Sequence, residues 1–189
     1  MCEVFVTISQ KLNKEKTERY WRKFVFTNNN SVKVAIIILQ EPKYMDNQIE
    51  PALISAVNFV SKEYETVYVF NLLPVNKEVI EIGNIDYLKK VMSNNVSEIK
   101  SVVDNNCSGS SSVDLIYGAR AAKCFKDVNK NNELSEILLD TIKPLEKDKK
   151  IELKAFFDKD NGLAYTSHGK AVDSVKGYKT DELNSLLEQ

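Results

Sequence analysis

The 189-residue chain holds a single histidine, three cysteines and no apolar run that approaches a membrane span. Each scarcity removes a class of chemistry. Cys2, Cys107 and Cys124 are odd in number and share no metal-like spacing. With His168 as the lone imidazole, a zinc site is not expected, and a disulfide framework still less so. A spanning helix needs about 20 consecutive apolar residues, so no membrane segment is expected. The amino terminus carries no signal-peptide pattern, and a reducing cytoplasm is the expected setting. No metal and no cofactor is expected.

Charge of one sign is lacking as well. A formal net charge of −1 means that the protein as a whole does not wrap nucleic acid electrostatically. The distribution is less even than the total. Residues 11–33 carry seven cations, Lys11, Lys14, Lys16, Arg19, Arg22, Lys23 and Lys33, against Glu15 and Glu18, a local excess of five. Such a cluster is either a solvated face or a surface for phosphates, with Lys14, Arg19 and Lys23 as its nucleic-acid-binding candidates. The basic residues are almost all lysine and asparagine is abundant, which points to an AT-rich coding genome rather than to chemistry.

What is present is ordinary globular material: 43% hydrophobic and 28% charged residues. A chain of this length forms one domain and buries about 70% of the surface its unfolded state exposes. Residues 1–33 read as an N-terminal strand and helix extension, 34–170 as the core, and 171–189 as a C-terminal helix.

Two runs dominate the core. Val34-Ala35-Ile36-Ile37-Ile38-Leu39 leads into Gln40-Glu41-Pro42, and Val67-Tyr68-Val69-Phe70 leads into Asn71-Leu72-Leu73-Pro74. Apolar runs without polar alternation predict strands covered on both faces, as in a parallel sheet between helices. Between them Asn47–Tyr64 reads as a helix, with Pro51 tolerable only in the first turn. Further helices are expected over Asp86–Val103, Ala119–Val128, Glu133–Ile142 and Asp181–Glu188. Further strands are expected over Glu3–Ile8 (an edge strand), Val113–Tyr117, Ile151–Phe157 and, as extended chain, Ala164–His168. Lys14–Trp21 has helical composition, and Tyr20–Phe26 is either the end of that helix or another strand. Strand–helix alternation of this kind predicts a three-layer α/β/α sandwich with a mostly parallel central sheet.

Parallel sheets hold ligands in the crevice at the carboxyl ends of their strands. Glu41, Asn71, Gly118 and His168 all follow strand-like segments or turns. A glutamate can activate water, an asparagine can both donate to and accept from an amide-like edge, and a histidine can donate to a carbonyl oxygen. Each also has a plainer reading. Glu41 before Pro42 can be a solvated turn residue, Asn71 a backbone-bonding turn former, and His168 beside Gly169 a surface residue.

The motifs resemble a known superfamily. Gln40-Glu41-Pro42 is similar to the Gln-Asp-Pro motif of uracil-DNA glycosylases, whose acid positions the attacking water. Val69-Phe70-Asn71 is similar to their Leu-Leu-Leu-Asn strand, whose asparagine reads the uracil edge. Val113 to Ala121, with Tyr117-Gly118, resembles their strand ending in Trp-Gly before a helix. Ser167-His168-Gly169 falls where they carry His-Pro-Ser, whose histidine stabilises the departing base. The chain resembles more closely a bacterial family without an assigned role, catalogued as domain of unknown function 1643. That family has a strand into Asn-Pro-Ser, an Asp-x-Thr, a strand into Asn-Leu, a Trp-Gly and a late Gly-x-Pro-x-His-Pro. This sequence offers Glu41-Pro42-Lys43, Glu50-Pro51-Ala52, Asn71-Leu72, Tyr117-Gly118 and Gly162 to Gly169 in that order. The resemblance covers about Tyr20 to Lys170.

It implies a uracil-DNA glycosylase-like scaffold with Glu41 and His168 as catalytic residues. Asn71, Tyr44, Tyr117 and Gly118 are then the residues that bind a base. Several positions depart from the glycosylase pattern. Glu41 is one methylene longer than the aspartate, Lys43 stands where the pocket tyrosine falls, and Tyr44 comes one position late. Tyr117 replaces tryptophan, Gly169 replaces proline, and the leucine-bearing minor-groove loop has no counterpart. The implied function is binding of nucleic acid, single- or double-stranded DNA, or of a nucleobase, with degenerate base-excision chemistry. The alternative is a catalytically inactive module that binds DNA or a protein partner.

Overall fold

The structure, a computed structural model, describes residues 6–27, 31–40, 42–43, 45, 48–76, 79, 84–107, 112–119, 131–160, 163–164, 172–180 and 182–183. These form one seven-stranded mixed sheet and three helices. In chain order the elements are β1 (Val6–Leu12), β2 (Arg19–Phe26), β3 (Val34–Leu39), α1 (Pro51–Val60) and β4 (Thr66–Asn71). They continue with α2 (Ile85–Asn106), β5 (Val113–Tyr117), α3 (Asn131–Lys147), β6 (Ile151–Phe157) and β7 (Ser174–Gly177). The order across the sheet is β1-β2-β4-β3-β5-β6-β7. The centre, β4-β3-β5-β6, is parallel, and the flanking pairs β1-β2, β2-β4 and β6-β7 are antiparallel.

The uninterrupted apolar runs take the central places because only there are both faces covered. Ile36, Ile37 and Ile38 are wholly buried. Successive side chains on β3 alternate between two cores, as a strand requires. Ile36 and Ile38 join a cluster with Leu88, Met92 and Ile99 of α2 and Leu138 and Ile142 of α3. Ala35, Ile37 and Leu39 join another with Leu53, Val57 and Val60 of α1. Helix α1 therefore lies on one face, and α2 and α3 on the other. The chain leaves β3 toward α1 but leaves its neighbours β4 and β5 toward the opposite face. In parallel α/β sheets a divergence of this kind is where ligand crevices occur, outside the carboxyl ends of the strands.

Helix boundaries follow local chemistry. Pro51 sits in the first turn of α1, where its missing N–H costs nothing. The same ring disfavours helical backbone at the preceding residue, and Glu50 is extended at φ −70, ψ 141. Asn84 caps α2 by accepting from the Tyr87 amide at 2.8 Å. Pro144 lies inside α3, beyond the expected end of that helix at Ile142.

Two expectations change, and one left open is decided. Lys14–Trp21 is not helical: the Asn13 side chain accepts from the amides of Thr17 (2.8 Å) and Glu18 (3.1 Å), closing a turn between β1 and β2. A short polar side chain competes with helical bonding in this way. Tyr20–Phe26 is accordingly strand. The 171–189 segment, read as a helix, begins with β7, which pairs with β6 and shows too little apolar alternation to be read as strand. Within it only Thr180, Glu182 and Leu183 are described as helical. The expected helix at Ala119–Val128 and extended chain at Ala164–His168 fall, beyond their first residue, outside the described residues.

Candidate functional site at the carboxyl edge

Asn71 ends β4 and is paired in register with Leu39, the last residue of β3. Its side chain lies within a buried polar network assembled from four segments. The Asn71 Nδ2 donates to the Gln40 carbonyl at 2.5 Å, and Arg19 Nη2 donates to Asn71 Oδ1 at 3.1 Å. The same guanidinium nitrogen donates to Glu50 Oε1 at 2.9 Å. Arg22 Nη1 lies 3.6 Å from Glu50 Oε2 and donates to the Gln48 carbonyl at 2.5 Å. Lys43 N donates to Glu50 Oε1 at 3.2 Å. From the other face Asn95 of α2 donates to the Asn71 carbonyl at 2.8 Å.

Burial makes this network costly to break. The side chains of Arg19 and Arg22 are 1% and 2% exposed, and that of Glu50 10%. Removing one partner of such a pair strands the other charge away from water, at about 3–5 kcal/mol. Glu50 does not cap α1 with its side chain. Pro51 holds its backbone extended, and the carboxylate turns to the two arginines.

A β-bulge delivers the second arginine. Lys11 pairs with Trp21, but Leu12 pairs with Arg19, so Tyr20 is an extra residue in β2. In a regular strand Arg19 and Arg22, three apart, would face opposite sides of the sheet. The added residue restores them to one side. Tyr20 meanwhile donates its hydroxyl to Glu18 at 2.7 Å, and burial together with that carboxylate pushes its phenol well above the usual range.

The anticipated residues divide. Asn71 and the residue before Glu41 are brought together at the carboxyl edge. Glu41, Tyr44 and His168 lie outside the described residues. Tyr117 packs in the core shared with α2 and α3, on the other side of the sheet from Leu39. Gly118 donates to the Ile38 carbonyl at 2.9 Å. A Cβ there would stand 2.8 Å from the Phe156 ring, so glycine lets β5 and β6 close together.

The basic cluster does not survive as a single surface, and Arg19 is a correction: its buried guanidinium serves Glu50 and Asn71. Arg22 is likewise committed. Lys11 pairs with Glu98 at 2.7 Å, and the Lys23 ammonium sits 5.3 Å from the centre of the Tyr68 ring. Lys14, Lys16 and Lys33 are exposed. Missed from sequence were Arg22, Glu50 and Asn95 as members of the site. The Glu50-Pro51 pair was visible as a motif, but its arginine partners stand far back along the chain, in β2.

Among the described residues no cluster of three or more histidine, cysteine or acidic side chains could hold a metal, and no helix is long and apolar enough to cross a membrane. No protein-family model matches the chain, and no curated protein matches it.

Proposed function

We propose that the chain is a uracil-DNA glycosylase-like scaffold that takes a nucleobase or nucleic acid at the carboxyl edge of its sheet. The observation that carries this reading is the amide of Asn71. It stands at the end of a parallel strand, beside Gln40 of the Gln40-Glu41-Pro42 motif, and bonds to Arg19 and Gln40 among the described residues leave it one further N–H and one further lone pair. An amide with one donor and one acceptor left is suited to the edge of a base. In the excision reaction Glu41 holds the attacking water, Asn71 reads the base edge and His168 stabilises the departing base.

The second reading is a binding module without turnover, and the loss of the continuous basic face turns that module toward a protein partner. Tight tracking of phosphates needs several exposed cations in a row. Base release from uracil-containing single- and double-stranded DNA separates the two, comparing wild type with Glu41→Gln and Asn71→Ala. Release by wild type that both variants abolish supports excision. No release above the variants, at high protein concentration, leaves the module reading, which binding of the same strands then tests.

A further inference from the structure

We propose that Arg19 is a positioning residue that sets the polarity of the Asn71 amide and so decides which hydrogen-bonding edge the site can read. The proposal rests on the base-reading role given to Asn71 above. A guanidinium only donates and a carbonyl only accepts. Arg19 Nη2 at 3.1 Å from Oδ1, and the Gln40 carbonyl at 2.5 Å from Nδ2, therefore admit one orientation of the amide. Turned over, it would set N–H against N–H and oxygen against oxygen in a buried site. A solvated asparagine flips freely and reads donor–acceptor and acceptor–donor edges alike. This one reads a single order.

Arg19 is itself immobilised. Nη2 is shared with Glu50 Oε1 at 2.9 Å, its backbone N–H donates to the Pro74 carbonyl at 2.7 Å, and its side chain is 1% exposed. Asn95 pins the Asn71 carbonyl from the opposite face. The bulge at Tyr20 is what aims Arg19 at this site. The N-terminal hairpin is thus part of the binding apparatus rather than an appendage to it.

The test uses the full chain and two readouts. In wild type the Asn71 Nδ2 proton that faces Gln40 should exchange slowly with solvent and show a through-hydrogen-bond coupling to the Gln40 carbonyl carbon. Rapid exchange without that coupling overturns the proposal before any variant is made. Arg19→Lys keeps the charge beside Glu50 but loses the planar fork that spans two acceptors. It should speed exchange of that proton by about tenfold, the loss of one hydrogen bond to the amide that carries it. Unchanged exchange in a folded Arg19→Lys protein overturns it.

The second readout titrates uracil and cytosine, whose edges present opposite donor–acceptor order. Wild type should bind one at least tenfold more tightly, Arg19→Lys should narrow that ratio, and Asn71→Ala should lose both. An equal ratio in wild type and Arg19→Lys counts against Arg19. Binding of neither base by wild type defeats the base-reading role alone, and the exchange measurement still decides whether Arg19 orients the amide.

Discussion

At the carboxyl ends of β3 and β4 the Glu50 carboxylate is shared by two guanidiniums that are almost wholly buried. On β5, one residue in from its amino end, the Asp114 carboxylate meets Lys154 Nζ at 2.7 Å and the Tyr64 hydroxyl at 2.7 Å, and the Lys154 side chain keeps 23% of its exposure. Both clusters lie on the α1 side of the sheet, and both bring a carboxylate near an apolar core. They differ in what surrounds the pair. At the amino end the Lys154 side chain stays partly exposed, and the Tyr64 hydroxyl donates to the same Asp114 oxygen. At the carboxyl end an asparagine amide and the backbone carbonyls of Gln40 and Gln48 complete the network, and the charges stay within the protein. The amino-end cluster ties Tyr64, which follows α1, to β5 and β6. The carboxyl-end cluster holds the Asn71 amide by both of its polar atoms.

The comparison breaks most decisively at Glu50. Glu50→Ala leaves two arginines without their carboxylate and should cost about 3–5 kcal/mol, read from urea unfolding. A loss below about 1 kcal/mol would mean that the arginines reach water and that the site is not built as described. Gly118→Ala, at the same end, should cost about 1–3 kcal/mol, because the new methyl meets the Phe156 ring.

At the other end Lys154→Met should cost less than Glu50→Ala, about 1–2 kcal/mol once the partial exposure of the lysine is allowed for. Equal losses at the two ends would erase the contrast drawn between them.

Titration sharpens it further. Burial, and then the hydrogen bond to Asp114, raise the Tyr64 phenol far above its usual value of 10.0. The unfolded chain therefore releases this proton first. The contribution is fully present below about pH 10 and is lost as pH rises from there toward the folded-state value. Tyr64→Phe should lower stability at neutral pH by about 1.5–3 kcal/mol, the worth of a hydrogen bond to a charged group. It should also flatten the decline in stability above pH 10. An unchanged alkaline decline would assign the loss to other groups, with Tyr20 the next to test.

The smallest effect belongs to the surface. Lys14, Lys16 and Lys33 replaced by glutamine should leave the fold intact. If nucleic acid binds through them, the salt dependence on single strands should flatten by about 0.7 for each phosphate that is no longer neutralised. An unchanged slope would leave these lysines as a solvated face and move attention to a protein partner. Arg19→Gln does not belong in this set, since it would open the buried network.

The central sheet was legible because its signal is local. Val34–Leu39, Val113–Tyr117 and Ile151–Phe157 have the same bounds in the structure as the sequence predicts, and β4 gains only Thr66 and Asn71. β3 and β4 read as continuous apolar runs, the mark of strands covered on both faces, whereas β5 carries Asp114 and β6 carries Glu152 and Lys154 among their apolar residues. The start of α1 was legible only in part: the helix expected from Asn47 begins at Pro51, because the proline ring holds Glu50 before it extended. The N-terminal hairpin was not. Lys14–Trp21 has the composition of a helix, and what decides against it is one side chain, Asn13, bonding two amides ahead of it.

By itself, then, the sequence determined the parallel core, the placing of Gln40 and Asn71 at strand ends, and the junction of Glu50 with Pro51. These rest on hydrophobic periodicity and on the fixed backbone of proline, which act over a few residues. Only the tertiary structure decided that Arg19 and Arg22 leave the basic face and converge on Glu50. That outcome needs a strand that pairs with the distant β4 and one extra residue at Tyr20 to turn Arg19 inward. A bulge arises from pairing between strands, and neither strand carries its mark alone. The charges of residues 11–33 read as a surface because charge is normally solvated. Burial reversed that reading, since a buried guanidinium must find its acceptors within the protein.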